Sequence, residues 1–132
     1  MKNTKLFSML SLLCCCLLFS ACGGSKQGTP SATVESMAKA MQSENVEAVM
    51  ELLNPAVYAQ PGAKEKLSGL LAASMAEMKE EEKGLKKVEI LEEKINGEHA
   101  TVKAKYYYGN DTDDTQVMNL VKVDGKWYLD LM

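Results

Sequence analysis

The chain changes hydrophobic period about two-thirds of the way along, and that switch constrains its fold more than any other feature. Up to about residue 84 apolar side chains recur at helical spacing, and from Val88 onward they alternate. Thr29-Pro30 offers a capping hydroxyl followed by a proline at a first helical position. Val34, Met37, Ala38 and Met41 then fall at i, i+3, i+4 and i+7, one apolar stripe. Ser43-Glu44-Asn45 interrupts it and supplies a new cap, after which Val46, Val49, Met50 and Leu53 repeat the spacing until Asn54-Pro55. A third helix is expected after Pro61-Gly62, with Leu67, Leu70, Leu71, Met75 and Met78 as its buried face and Gly84 as its end. The methionines read as pliable core.

In the second half Val88 and Ile90 open a strand, and Asn96-Gly97 predicts a tight hairpin because both residues tolerate positive φ. Ala100, Val102, Ala104, Tyr106 and Tyr108 alternate with Thr101, Lys103, Lys105 and Tyr107. A polar loop covers residues 109–114, a third strand runs from about 115 to 123, and Asp124-Gly125 turns the chain into a fourth over 126–131. Short connections of this kind make an antiparallel meander. The helical stripes need a partner, so one sheet face must lie beneath the three helices. The expected class is α+β, helices first and sheet second.

The N-terminus adds an address. Lys2 and Lys5 precede an apolar run of 16 residues, Leu6 to Ala21, which falls short of the ~20 residues a spanning helix needs. It closes on Leu18-Phe19-Ser20-Ala21-Cys22, which resembles the lipobox of bacterial lipoprotein signal peptides. That resemblance implies cleavage before Cys22, lipid attachment at its sulfur, and a membrane as the partner of the mature chain. It places the protein in the cell envelope, facing the periplasm or the exterior. Gly23 is not an acidic retention signal, which favours the outer membrane. Cys14, Cys15 and Cys16 leave with the signal, so Cys22 remains alone and no intrachain disulfide can form. Residues 22–29, rich in Gly and polar side chains, read as a flexible tether, and 30–132 as one small domain.

Charge excludes one class of partner. The whole chain is at −3 with no arginine, and loss of Lys2 and Lys5 takes it to about −5. Nucleic-acid surfaces rely on net positive charge and bidentate arginine, so such a partner is not expected.

Three short helices, a curved four-stranded meander and the ending Val121-Lys122-Val123-Asp124-Gly125-Lys126-Trp127-Tyr128-Leu129 resemble the nuclear-transport-factor-2-like superfamily, with its cystatin-like cone. The Val34 to Leu53 pattern fits the same fold. More narrowly, the chain is similar to small lipoproteins of Bacteroides-type bacteria that carry an uncharacterised domain of this kind. The resemblance implies a pocket between helices and sheet and, in many members, pairing through the outer sheet face.

Enzymes of that superfamily place an Asp or His inside the cone. Here His99 is expected at the edge, beside the Asn96-Gly97 turn, and alternation turns Asp130 away from the core. Asp111, Asp113 and Asp114 lack the Gly and Glu that a calcium loop requires, and the acidic run from Glu77 to Lys83 reads as a solvated helix end. No catalytic residue, metal site or cofactor is therefore assigned. Tyr58, Tyr106, Tyr108 and Trp127 are the candidate pocket lining. Tyr107, Val117, Val121 and Tyr128 are the candidate outer interface, for a second copy or a protein partner. The expected function is a lipid-anchored, exported, non-enzymatic binding or interaction module of unknown ligand. The alternative is a small-molecule carrier or enzyme using the cone.

Overall fold

The computed structural model describes residues 26–131. The signal segment 1–21, Cys22 and the first part of the tether lie outside the described residues.

The first helix, α1 (Pro30–Gln42), starts where the sequence places its cap: Thr29 Oγ1 accepts from Ala32 N at 3.1 Å. The preceding amide is satisfied from the sheet, where Glu93 accepts from Ser31 N at 2.9 Å and from Ser31 Oγ at 2.8 Å. A carboxylate at a helix N-terminus meets both unpaired N–H groups and the positive end of the dipole. Asn45 caps α2 (Val46–Glu51) through Ala48 N, and Asn54 caps a single 3-10 turn, Pro55–Tyr58, through Ala56 N.

The long helix α3 (Ala63–Glu81) departs from expectation. Met75 is its one buried residue, Leu67, Leu71 and Met78 are half-buried, and Leu70 is 59% exposed. The stripe read as a core face is only partly covered. The helix also stops before Gly84, with Lys83 taking a left-handed conformation (φ 63°) ahead of the glycine (φ 79°).

Four strands, β1 (Leu85–Asn96), β2 (His99–Tyr108), β3 (Asp113–Val123) and β4 (Lys126–Leu129), form one antiparallel sheet in sequence order. Pairing shifts between Leu85 and Lys87 and between Ile90 and Glu92 put two irregularities in β1, and such bulges bend a strand. Of the three hairpins, β1–β2 and β3–β4 use two-residue turns. Between β3 and β4, Asp124 (φ 50°) and Gly125 (φ 80°) are both left-handed, as a type I′ turn demands. Between β1 and β2, Asn96 pairs with His99, so the turn residues are Gly97 and Glu98, and only Gly97 has positive φ. That is the glycine-first pattern of type II′, one residue beyond the turn expected from Asn96-Gly97.

The short β4 does not leave a bare edge. Leu129 N donates to Leu52 O and Asn54 N to Leu129 O, each at 2.8 Å, a one-residue parallel bridge. Further along, Trp127 N donates to Gln27 O and Gln27 Nε2 returns the bond to Trp127 O, both at 3.0 Å. Ser36 Oγ holds Lys26 O at 3.0 Å. Residues 26 and 27, which fall in the segment expected to be a tether, are therefore bonded to the folded body. The segment's polar composition hid this, because the attachment is made by backbone and amide groups rather than by apolar side chains.

Val102, Ala104 and Ala100 of β2, Leu120 of β3 and Leu129 of β4 form the sheet's side of the core, against Val34, Met37 and Ala38 of α1. Small residues at 38, 100 and 104 let α1 lie close across β1, β2 and β4. Beneath it Thr33 Oγ1 donates to Trp127 O at 2.9 Å.

Candidate functional site

While α1 rests on the sheet, α3 makes its main contacts with α2 and the 3-10 turn. Its inward face is therefore separated from the end of the sheet near Tyr106 and Tyr108 by a cleft of about 310 Å³. Met37 and Met41 of α1 and Val49 of α2 line one side. Leu71, Ser74, Met75 and Met78 come from α3, and Tyr106, Tyr108 and Gln116 from the sheet. Glu82, just past the end of α3, completes the rim. The cleft exists because one residue-rich helix is held by other helices rather than by the sheet it covers.

Tyr106 gives this site its chemistry. It is only 4% exposed, and its Oη is the one buried side-chain polar atom among the described residues with no hydrogen-bond partner. Leaving a hydroxyl unpaired out of water costs roughly 1–3 kcal/mol. Burial, with a smaller effect from Tyr108, pushes its phenol up to about 12. The group is thus a protonated donor at any physiological pH. Tyr108, half-buried, is also raised, by burial and then by the carboxylates of Glu82 and Asp114. The mouth of the cleft is acidic.

The candidate pocket residues divide. Tyr106 and Tyr108 line the cleft together, whereas Tyr58 and Trp127 stand elsewhere. Tyr58 sits on the 3-10 turn with its hydroxyl donating to Met50 O. Trp127 is buried on β4 beside α1, with the Lys122 ammonium 5.8 Å from its ring centre. Both are inward-facing aromatics, but at the opposite end of the inner sheet face from Tyr106 or against the neighbouring helix, so they contribute to packing.

The outer-face candidates do not form one patch. Tyr107 pairs with Asp113 and Val121 with His99, so about eight residues of β3, roughly 26 Å, separate the two ends. Val121 and Tyr128 are cross-strand partners at one end, and Val117 stands between, 60% exposed and opposite Lys103. Tyr107 is held in a polar cluster: it donates to Glu89 at 2.8 Å and lies under Lys87 (4.5 Å) and Lys105 (5.2 Å). Lysine at alternate outer positions breaks the apolar continuity. His99 and Asp130 share a shallow polar depression with Lys94, Asn96 and Asn119, outside the cone.

Met37, Met41, Met75, Met78, Ser74, Glu82 and Gln116 were not singled out from sequence as a site. Their spacing, four residues in α1 and three in α3, reads equally as core, and only the stand-off of α3 turns it into a cleft wall.

Three helices on an open four-stranded antiparallel sheet, with a cleft between α3 and the Tyr106–Tyr108 end of the sheet, define an α+β fold of the NTF2-like and cystatin-like class. The chain belongs to the DUF4878 family, a domain of unknown function, whose profile matches residues 20–130. Comparison with curated proteins finds no match. Among solved structures it is similar to a Campylobacter jejuni protein provisionally named an NTF2-like transpeptidase, at 24% identity and TM-score 0.67, covering 78% of this chain and 98% of that one. A DUF4783 family protein from Bacteroides uniformis shares 15% identity at TM-score 0.51, over 73% and 89% of the two chains. An uncharacterized cystatin fold protein from Novosphingobium aromaticivorans shares 17% at TM-score 0.50, over 74% and 92%. At such identities the likeness is one of fold.

Proposed function

We propose that this protein is a small lipoprotein of the Bacteroides type, held on the cell envelope through Cys22, whose domain binds a small molecule in the cleft under α3. The observation that carries the binding reading is Tyr106: a buried donor without a partner, lining a cleft with mainly apolar walls. The lipid anchor rests on the Lys2–Cys22 signal pattern. Binding is favoured over catalysis because burial keeps the phenol protonated near neutral pH, as a hydrogen-bond donor and not a base. The cleft walls contain neither His nor Cys to activate a nucleophile, so the transpeptidase name of the Campylobacter jejuni relative is not extended to this chain.

Two measurements test the reading. Cys22→Ser is expected to move the protein from the membrane to the soluble fraction, and unchanged membrane association would refute the anchor. 1-Naphthylamine, a small neutral apolar dye, is expected to bind residues 22–132 carrying Cys22→Ser with saturation at one site and to perturb the methyl signals of Met75 and Met78. Non-saturating fluorescence with unperturbed methyls would refute the cleft.

A further inference from the structure

The walls of the cleft specify the chemistry of its occupant, on the reading just given that the cleft is a binding site. Its volume, about 310 Å³, corresponds to about ten heavy atoms at ~30 Å³ each. Its sides are thioether and aliphatic: Met37, Met41, Met75 and Met78, with Val49 and Leu71. Unbranched, polarizable methionine fits irregular apolar shapes and adapts to more than one. Such walls select an alkyl chain or small ring rather than a sugar or a peptide, whose polar groups would find few partners there.

A polar end is nonetheless required. Tyr106 Oη is a donor with nothing to donate to, and an unpaired buried donor is relieved only by an acceptor. The acceptor must be uncharged. Glu82 is on the rim, and both Glu82 and Asp114 act on Tyr108 across the mouth. A carboxylate or phosphate entering here would meet like charge in a site where field lines are poorly screened. Apart from the hydroxyls, only Gln116 offers an N–H in the cleft walls, and no lysine is among them to neutralise an anion. Tyr106 Oη is buried, so an acceptor reaches it only as side chains lining the cleft shift. Met75 and Met78 belong to the helix whose main contacts are with α2 and the 3-10 turn rather than with the sheet.

We infer that the cleft under α3 takes a neutral, mainly aliphatic molecule of about ten heavy atoms carrying one carbonyl or ether oxygen, which accepts a hydrogen bond from Tyr106. The same geometry disfavours fatty-acid anions of equal length.

The test uses three probes of one chain length, nonane, 2-nonanone and nonanoate, on residues 22–132 with Cys22→Ser, which retain every described residue. Binding is followed at pH 7 by the methyl signals of the four cleft methionines, in the native sequence and in Tyr106→Phe. We expect 2-nonanone to bind at one site and nonanoate to bind at least tenfold more weakly. The ratio of 2-nonanone to nonane affinity is expected to fall about five- to tenfold in Tyr106→Phe, the size of one hydrogen bond between buried groups. Phenylalanine keeps the ring and removes only the hydroxyl, and unfolding by urea run alongside establishes that the variant folds. An unchanged ratio, or nonanoate as the tightest probe, would overturn the ligand class while leaving the cleft as a binding site. Methyl signals indifferent to all three would overturn both.

Discussion

Replacing Tyr106 with phenylalanine is expected to stabilise the protein in the absence of ligand, the opposite of what most core substitutions do. The hydroxyl is buried and unpaired, so its removal recovers its desolvation penalty, roughly 1–3 kcal/mol. Against that stands the lost packing of one oxygen, several contacts of ~0.1–0.2 kcal/mol each. The net expectation is a gain of about 1 kcal/mol, or roughly 4–8 °C in Tm for a domain of this size. Alkaline pH supplies a second reading of the same group. Burial raises the folded-state phenol from 10.0 to about 12, so the folded state holds this proton more firmly than the unfolded chain. The stability linked to it is complete below pH 10 and is lost as pH rises to about 12, at ~1.4 kcal/mol per unit. Urea unfolding of the native protein and of Tyr106→Phe at pH 8, 10 and 11 should therefore show the native curve falling more steeply above pH 10. A variant less stable than the native protein by 1 kcal/mol or more, with parallel pH dependence, would refute the argument, because it would mean that the hydroxyl is paired.

Other substitutions test the frame around the site. A Cβ at Gly109 would stand 2.3 Å from Lys83 O, where the β2–β3 loop docks through Gly109 N to Gly84 O at 2.9 Å and Asn110 N to Glu82 O at 3.0 Å. Gly109→Ala should cost about 2–3 kcal/mol, two backbone bonds plus displaced loop, measured by thermal unfolding. Thr33→Val keeps the shape but removes the donor to Trp127 O, and should lower stability by about 1 kcal/mol in urea. A chain beginning at Pro30 loses both bonds between Gln27 and Trp127 and bares part of β4. It should be less stable by about 1–2 kcal/mol and associate more at high concentration by light scattering.

The parts of this fold legible in the sequence are those fixed by local chemistry. Thr29 and Asn45 cap where they stand because their side chains reach nearby amides, and Asp124-Gly125 turns because both residues accept positive φ. The alternation of Ala100 to Tyr108 followed from strand geometry, and with it the placing of Tyr106 and Tyr108 on the inner face. Longer-range matters were hidden. The bulges in β1 have no local signal in Leu85–Lys87 or Ile90–Glu92, and one-residue shifts like these decide which face a side chain joins. Gln27 pairing with Trp127 joins residues a hundred positions apart. The cleft itself was out of reach, since Met75 and Met78 have core spacing whether or not their helix meets the sheet. Alternation also put Tyr107, Val117, Val121 and Tyr128 on the outer face, where they stand, but their distribution along its length depends on the register.

Native mass spectrometry of the protein extracted from its own membranes bears most directly on the claim that the space under α3 is a binding site. We expect a fraction of molecules to carry one small neutral species of about ten heavy atoms, released on denaturation and depleted in Tyr106→Phe. A protein that emerges with no such species, and whose cleft methionines stay silent to every added aliphatic ketone, would contradict it.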